Sequence, residues 1–248
     1  MAISLVAAGT LFATSAAGNN INPSLPVGWA ANDIFISQVF TKSSGTLDTL
    51  TSAVGWTTLG AQSLEAAANP RHSAYFWKRA ATTDVNPTFG YSSGTGGIGS
   101  SLGSYAVISA WRGVTTAANP FDVVSAVSTV ASSGAGNAIT SPSVTCTTGG
   151  LTVVKFWATQ DDNDLGTFDS TLSVAYSSAA YASVIGLDAS FGCGYFLKAT
   201  SGASGTHTCV ETTLGFDIAQ SFAVAMIQST VVPPTGVVPY LTLVGVGL

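Results

Sequence analysis

The sequence predicts an all-β protein, a single large two-sheet β-sandwich of jelly-roll-like architecture built from two sequence-related halves. Three observations predict it. Short runs rich in β-branched and aromatic residues recur along the chain, each bounded by Gly, Ser, Asn, Asp or Pro. Apolar residues at helical spacing are nearly absent. Three of the runs also return in the same order about 117 positions later.

In the first half the strand runs are Asp33-Ile-Phe-Ile-Ser-Gln-Val-Phe40, Ser73-Ala-Tyr-Phe-Trp-Lys78, Pro87-Thr-Phe-Gly-Tyr91 and Tyr105-Ala-Val-Ile-Ser-Ala-Trp111. The second half has Leu151-Thr-Val-Val-Lys-Phe-Trp157, Gly194-Tyr-Phe-Leu-Lys198, Thr206-His-Thr-Cys-Val210 and Phe222-Ala-Val-Ala-Met-Ile227. Ile34 lines up with Leu151 (151 − 34 = 117), Tyr75 with Tyr195 (195 − 75 = 120) and Ser104 with Ser221 (221 − 104 = 117). The shared Tyr-Phe-x-Lys argues for duplication over generic strand likeness. Four strands with one apolar face are marginal alone, so two such halves are expected to close one another's core.

Between the runs, Leu64, Glu65 and three alanines ahead of Pro70 predict a helical or turn segment over residues 63–69. A Gly/Ser-rich run over 92–104 reads as a hairpin loop, and residues 117–122 as the crossover between halves. Residues 1–17 are apolar and end in small residues, but they lack a basic start and are interrupted by Gly9, Thr10, Thr14 and Ser15, so they do not read as a signal peptide. No stretch attains the roughly 18 consecutive apolar residues of a membrane helix. The expected organisation is a sandwich over 1–230, with halves of about 1–120 and 121–230, and a Pro-rich apolar C-terminal tail over 231–248. Pro233, Pro234 and Pro239 bar that tail from a central strand, and its uncharged residues should be covered, on its own sandwich or on a neighbouring subunit.

Charge is unusually sparse. Only 8% of the 248 residues are Asp, Glu, Lys or Arg, against about 25% in an ordinary globular chain. The 7 basic residues form no cluster that would neutralise phosphates, which excludes nucleic acid as a partner. A surface so weakly hydrated and repelling is suited to meeting other protein. The three cysteines, Cys146, Cys193 and Cys209, read as small buried apolar residues, with a Cys193–Cys209 bridge as the minority alternative.

Reactive constellations are not legible. His72 and His207 have no HxH or HxxxH partner, and there is no GxSxG, phosphate loop or GxGxxG. Asp161, Asp162, Asn163 and Asp164, followed by Gly166 and Asp169, have the oxygen-rich spacing of a calcium loop. The glutamate needed at the twelfth position is Leu172 or Ser173, so the segment reads as a solvated turn. No catalytic residue, metal ligand or cofactor is predicted, and no binding residue can be named. Trp29, Trp56, Trp77, Trp111 and Trp157 would supply stacking faces to a carbohydrate-binding module, but at least three of them read as core.

Several motifs, in order, resemble a known family: Val6-Ala-Ala-Gly9, Ala17-Gly-Asn-Asn20, Leu25-Pro-x-Gly-x-Ala30-Ala-x-Asp33, Gly55-Trp-Thr57, Trp111-Arg-Gly-Val114 and Asn119-Pro-x-Asp122. Together they resemble the β-sandwich virion proteins of tailed bacteriophages, over roughly residues 1–230. The resemblance implies one sandwich with two related halves. It also implies a structural, non-enzymatic role at the surface of the phage particle, as a capsid decoration or cement protein or as a tail or fibre component, with the head favoured. Its expected partners are the major capsid protein or other virion proteins and further copies of itself, a trimer being one such assembly, with no membrane. Asn32 stands where the resemblance puts Gly. Arg112, directly after a strand, is expected to pair with an acid such as Asp122 and fix the crossover.

Overall fold

The structure, a computed structural model, describes residues 2–14, 20–43, 49–65, 71–91, 101–131, 138–159, 165–180, 189–212 and 218–230. Among them there is no helix, and twenty strands follow in chain order. The first half holds β1 (Ser4–Ala8), β2 (Phe12–Thr14), β3 (Ile34–Ser43), β4 (Leu50–Thr51), β5 (Thr57–Thr58), β6 (Ser63–Glu65), β7 (Arg71–Arg79), β8 (Gly90–Tyr91) and β9 (Ser101–Arg112). Then come β10 (Phe121–Val124), β11 (Ser128–Ala131), β12 (Ala138–Thr140), β13 (Thr145–Cys146), β14 (Leu151–Thr159) and β15 (Leu165–Phe168). The last five are β16 (Ser173–Ala180), β17 (Ala189–Lys198), β18 (Gly202–Ala203), β19 (Thr208–Glu211) and β20 (Ile218–Met226).

Two antiparallel sheets dominate. One runs β1-β9-β3-β7-β5, with β2 also on β9 and β6 also on β7; the other runs β10-β20-β14-β17-β16, with β11 also on β20. Each takes its strands from one contiguous half of the chain, and the connection between them spans 113–120. Among the described residues neither sheet mixes strands of both halves, so the two-sheet sandwich stands without the interleaved winding of a jelly roll.

Side-chain alternation explains why the sheets stack. Along β3, Ile34, Ile36 and Phe40 face the shared interior, joined by Tyr75 of β7 and by Tyr105, Val107 and Trp111 of β9. Val154, Phe156 and Ala158 of β14, Phe191 and Cys193 of β17, and Phe222, Val224 and Met226 of β20 meet them from the other sheet. Rings interlock across the gap: Tyr75 stacks on Phe222 at 4.1 Å between centroids, Trp111 meets Tyr195 edge-on at 5.1 Å, and Phe40 meets Phe191 at 6.2 Å.

The outward faces are covered too. Phe35, Val39, Phe76 and Ile108 pack under Ile21, Leu50, Trp56 and Phe89 on one side. On the other, Trp157 and Ala219 pack under Ile139, Leu165, Leu172 and Cys209, while Val153, Ala223 and Ala225 pack under Val144 and Cys146. These covers include the small sheets β4-β8, β12-β19-β15 and β13-β18. The central strand β14 is therefore buried at all nine of its residues.

Pairing fixes how the halves correspond. Gln38 lies opposite Tyr75 and Val107, whereas Val154 lies opposite Tyr195 and Val224. Tyr75 to Tyr195 is 120 and Val107 to Val224 is 117, as expected. Gln38 to Val154 is 154 − 38 = 116, not the 117 read from the letters. An offset of 117 would match inward Ile34 with outward Leu151, because a one-residue slip exchanges the faces of a strand. The same offset of 116 relates two turns: Trp56 N–H donates to Ala53 O, and Leu172 N–H to Asp169 O, each at 3.0 Å.

Several local expectations change. Residues 63–65 are strand β6, held by pairing with β7, and 66–69 lie outside the described residues. Of the expected strand at 87–91, Gly90 and Tyr91 are β8 while Phe89 makes one bridge to Ile21. Residues 101–104 of the expected loop belong to β9, and 92–100 are outside the described residues. The crossover stops at Pro120, and β10 begins at Phe121. Residues 4–8 and 12–14 form strands on β9. The tail over 231–248 is outside the described residues.

Candidate functional site

At the end of the molecule where β3 starts and β7 and β9 finish, three loops of the first half meet. Antiparallel pairing puts Ile34 opposite Trp111, and so brings Asp33 beside Arg112. Arg112 Nε donates to Asp33 Oδ1 at 2.9 Å and its Nη2 to Oδ2 at 2.7 Å, a bidentate pair on a carboxylate only 3% exposed. The hydrogen bond and charge of Asp33 raise the guanidinium pKa further. Asp33 also accepts the Ala30 N–H at 2.8 Å, closing the turn in which Asn32 adopts a φ of 73°. That left-handed geometry favours Gly and is tolerated by Asn, which accounts for Asn32 at a position where Gly was expected.

The expected Arg112–Asp122 pair is therefore corrected. Asp122 instead accepts the Thr147 N–H at 2.7 Å and the Thr147 hydroxyl, tying the start of β10 to the turn ahead of β14. The crossover is fixed by Arg79, whose Nη2 donates to Thr115 O at 2.8 Å and Ala117 O at 3.0 Å.

A shallow groove of about 380 Å³ opens between the loop carrying Ala53 and Val54 and the loop 83–88, with Trp56 at its base. Lys78 and Asp84 line it as an ion pair at 2.5 Å, and Asp84 also accepts the Ala81 N–H. Val54 is 98% exposed and Val85 79%. A second recess, of about 530 Å³, lies between residues 148–151 and 227–230.

In the second half Lys155 projects from β14 to the outer side and is fully buried. Its Nζ donates to Pro142 O, to Gly205 O at 3.1 Å and to Ser204 Oγ at 3.3 Å. Burial lowers its pKa to about 8. His207 lies next to it with its ring 4.7 Å from Phe196; burial and the Lys155 charge both lower its pKa. No letter pattern announced this cluster; the signal was a lone cation inside a mostly apolar strand run, Leu151-Thr-Val-Val-Lys-Phe-Trp157.

Both histidines are buried, at 2% and 8% exposure, His72 on β7 and His207 just ahead of β19. Cys146, Cys193 and Cys209 are free and buried, and burial raises the pKa of each thiol. Of the acidic cluster, residues 161–164 lie outside the described residues; Asp169 closes a turn by accepting from the Thr171 N–H and hydroxyl. Trp56, Trp111 and Trp157 are buried, and Trp29 and Trp77 pack edge-on against Phe35 and Phe121. Among the described residues, no helix is long and apolar enough to cross a membrane. Compared with known proteins, the chain matches no family model, no curated protein and no solved structure.

Proposed function

We propose that this chain is a structural protein of a tailed-phage particle, a capsid decoration or cement protein that coats and stabilises the head without catalysis. The observation that carries the reading is the surface. Nineteen charged residues (7 + 12) serve 248 positions, and nearly bare valines stand on adjoining loops at one end. Such a surface gains by lying against other protein. The ordered motifs from Val6 to Asp122 support the choice of particle. The partners are the major capsid protein or other virion proteins, together with further copies of the chain. One monomer buries little area on a lattice, so a small cyclic oligomer such as a trimer grips better.

A tail or fibre position is the competing place on the particle. A carbohydrate-binding module is less well supported, because Trp56, Trp111 and Trp157 are buried and Trp29 and Trp77 each pack against another ring. Immunogold electron microscopy of particles from the source culture, with antibody to this chain, tests the proposal. Gold spread over heads is the expected result. Gold confined to tail tips would move the chain to the fibre, and particles without gold would overturn the virion reading.

A further inference from the structure

Three loops of the first half hold valines almost bare in water at one end of the sandwich: Val27 at 82% exposure, Val54 at 98% and Val85 at 79%. The loops adjoin. Leu25 N–H donates to Asn86 Oδ1 at 2.9 Å, and Val54 and Val85 stand on the two walls of the groove over Trp56. The charges here are matched, Lys78 by Asp84 and Arg112 by Asp33, so the surface between them carries no net charge, with Thr83, Asn86 and Thr88 as its polar rim beside the valines. Each exposed valine forgoes about 25 cal/mol per Å² of burial, a gain open to any apolar segment that reaches it.

The chain carries such a segment. Strand β20 runs toward this same end, and the residues after it are tied to the first half: Thr115 N–H donates to Ile227 O, and Ser229 N–H to Gly113 O, each at 2.8 Å. Gly113 follows Arg112, whose Nη2 reaches Gly28 O at 3.1 Å, beside Val27. The root of residues 231–248 is thus joined to the valine surface through Gly113, Arg112 and Gly28. Those eighteen residues hold no charge and include Val, Leu, Tyr and three prolines. Proline bars them from a central strand but suits an extended chain laid in an aromatic-floored groove. Eighteen extended residues span up to ~60 Å, ample for this path. Attachment at the same end gives an effective concentration of order mM, which a second copy's segment does not match in dilute solution.

We propose that residues 231–248 dock within their own molecule on the surface of Val27, Val54 and Val85, with the run from Val237 to Leu241 in the groove over Trp56. The assignment does not depend on the particle reading.

The test places the photocrosslinker benzoylphenylalanine at Tyr240 in the full chain, mixes unlabelled with ¹⁵N-labelled protein, irradiates, and maps the linked peptides by mass spectrometry. The expected links run from position 240 to residues 53–56 or 83–88, with both peptides light or both heavy. In the Val54→Asp/Val85→Asp variant, altered only at exposed positions, their yield falls about tenfold. Light–heavy pairs would hand the surface to a second copy and overturn the proposal. Links only to the recess at 148–151, no links, or a yield unchanged in the double variant would overturn it as well.

Discussion

Lys155 buries an ammonium group among carbonyl and hydroxyl oxygens, whereas Lys78 and Arg112 each face a carboxylate. Its hydrogen bonds satisfy the donors but do not balance the charge, so burial lowers the pKa to about 8, against 10.5 for a free lysine. A folded pKa below the unfolded one means that the folded state holds the proton less tightly. The lysine therefore penalises folding in full below about pH 8, and the penalty is relieved as pH rises toward the unfolded value. Between pH 8 and 10.5 wild type should gain stability relative to Lys155→Met, by up to about 3 kcal/mol. The difference between the two proteins is the quantity to follow, because the buried thiols and Tyr75, with raised pKa values, act oppositely on both. Urea unfolding of each at pH 7.5 and 10 reads it; parallel curves would show that Lys155 is not charged and buried as described. Sequence placed this lysine on a strand but not in the interior, because the period-two pattern assumes one wet face and β14 has none. Arg112 with Asp33 was likewise hidden by 79 positions of separation, although an acid opening one strand and a cation closing its neighbour is a usable sign.

Among elements, β3 and β14 cross the centre of the stack, and a polar network links their sheets. Tyr176 of β16 donates its hydroxyl to Gln38 Oε1 at 2.9 Å, while Gln38 Nε2 donates to Trp157 O at 2.8 Å. A polar contact amid Phe156, Phe191 and Phe222 specifies how the sheets sit, since a slide breaks the bonds to Tyr176 and Trp157 and leaves Gln38 only its 3.4 Å contact with Tyr75 of its own sheet. Tyr176→Phe keeps the ring and removes the donor, orphaning a buried acceptor at about 1–3 kcal/mol. Tm should fall by several degrees, scaling at roughly 2–4 °C per kcal/mol for a chain of this size. An unchanged Tm would mean that this bond does not hold the sheets. Long strands such as β3, β7, β9, β14 and β20 were legible because β-branched and aromatic residues fill them. The two-residue strands β4, β5, β8, β13 and β18 carry no period to read, and β8 was found only as the end of a longer expected run. Strands β1 and β2 were unreadable because Ala and Gly are common in them and around them. The slip from 117 to 116 arose because likeness of letters does not record which face is inward.

For the whole molecule, the repeated strand order β9-β3-β7 and β20-β14-β17 places two similar sheets face to face, each completing the other's interior. β7 lies over β20 and β9 over β17, the mutual arrangement of an isologous pair within one chain. Among the described residues neither sheet has another cover for Phe40, Tyr75, Tyr105, Phe156, Phe191 and Phe222, so neither half should be stable without the other. Differential scanning calorimetry of the full chain tests this most directly. The account predicts one transition with calorimetric and van't Hoff enthalpies equal, because the core is shared. Two transitions, each with the enthalpy of about half the chain, would mean that the halves fold independently and that the central core does not bind them.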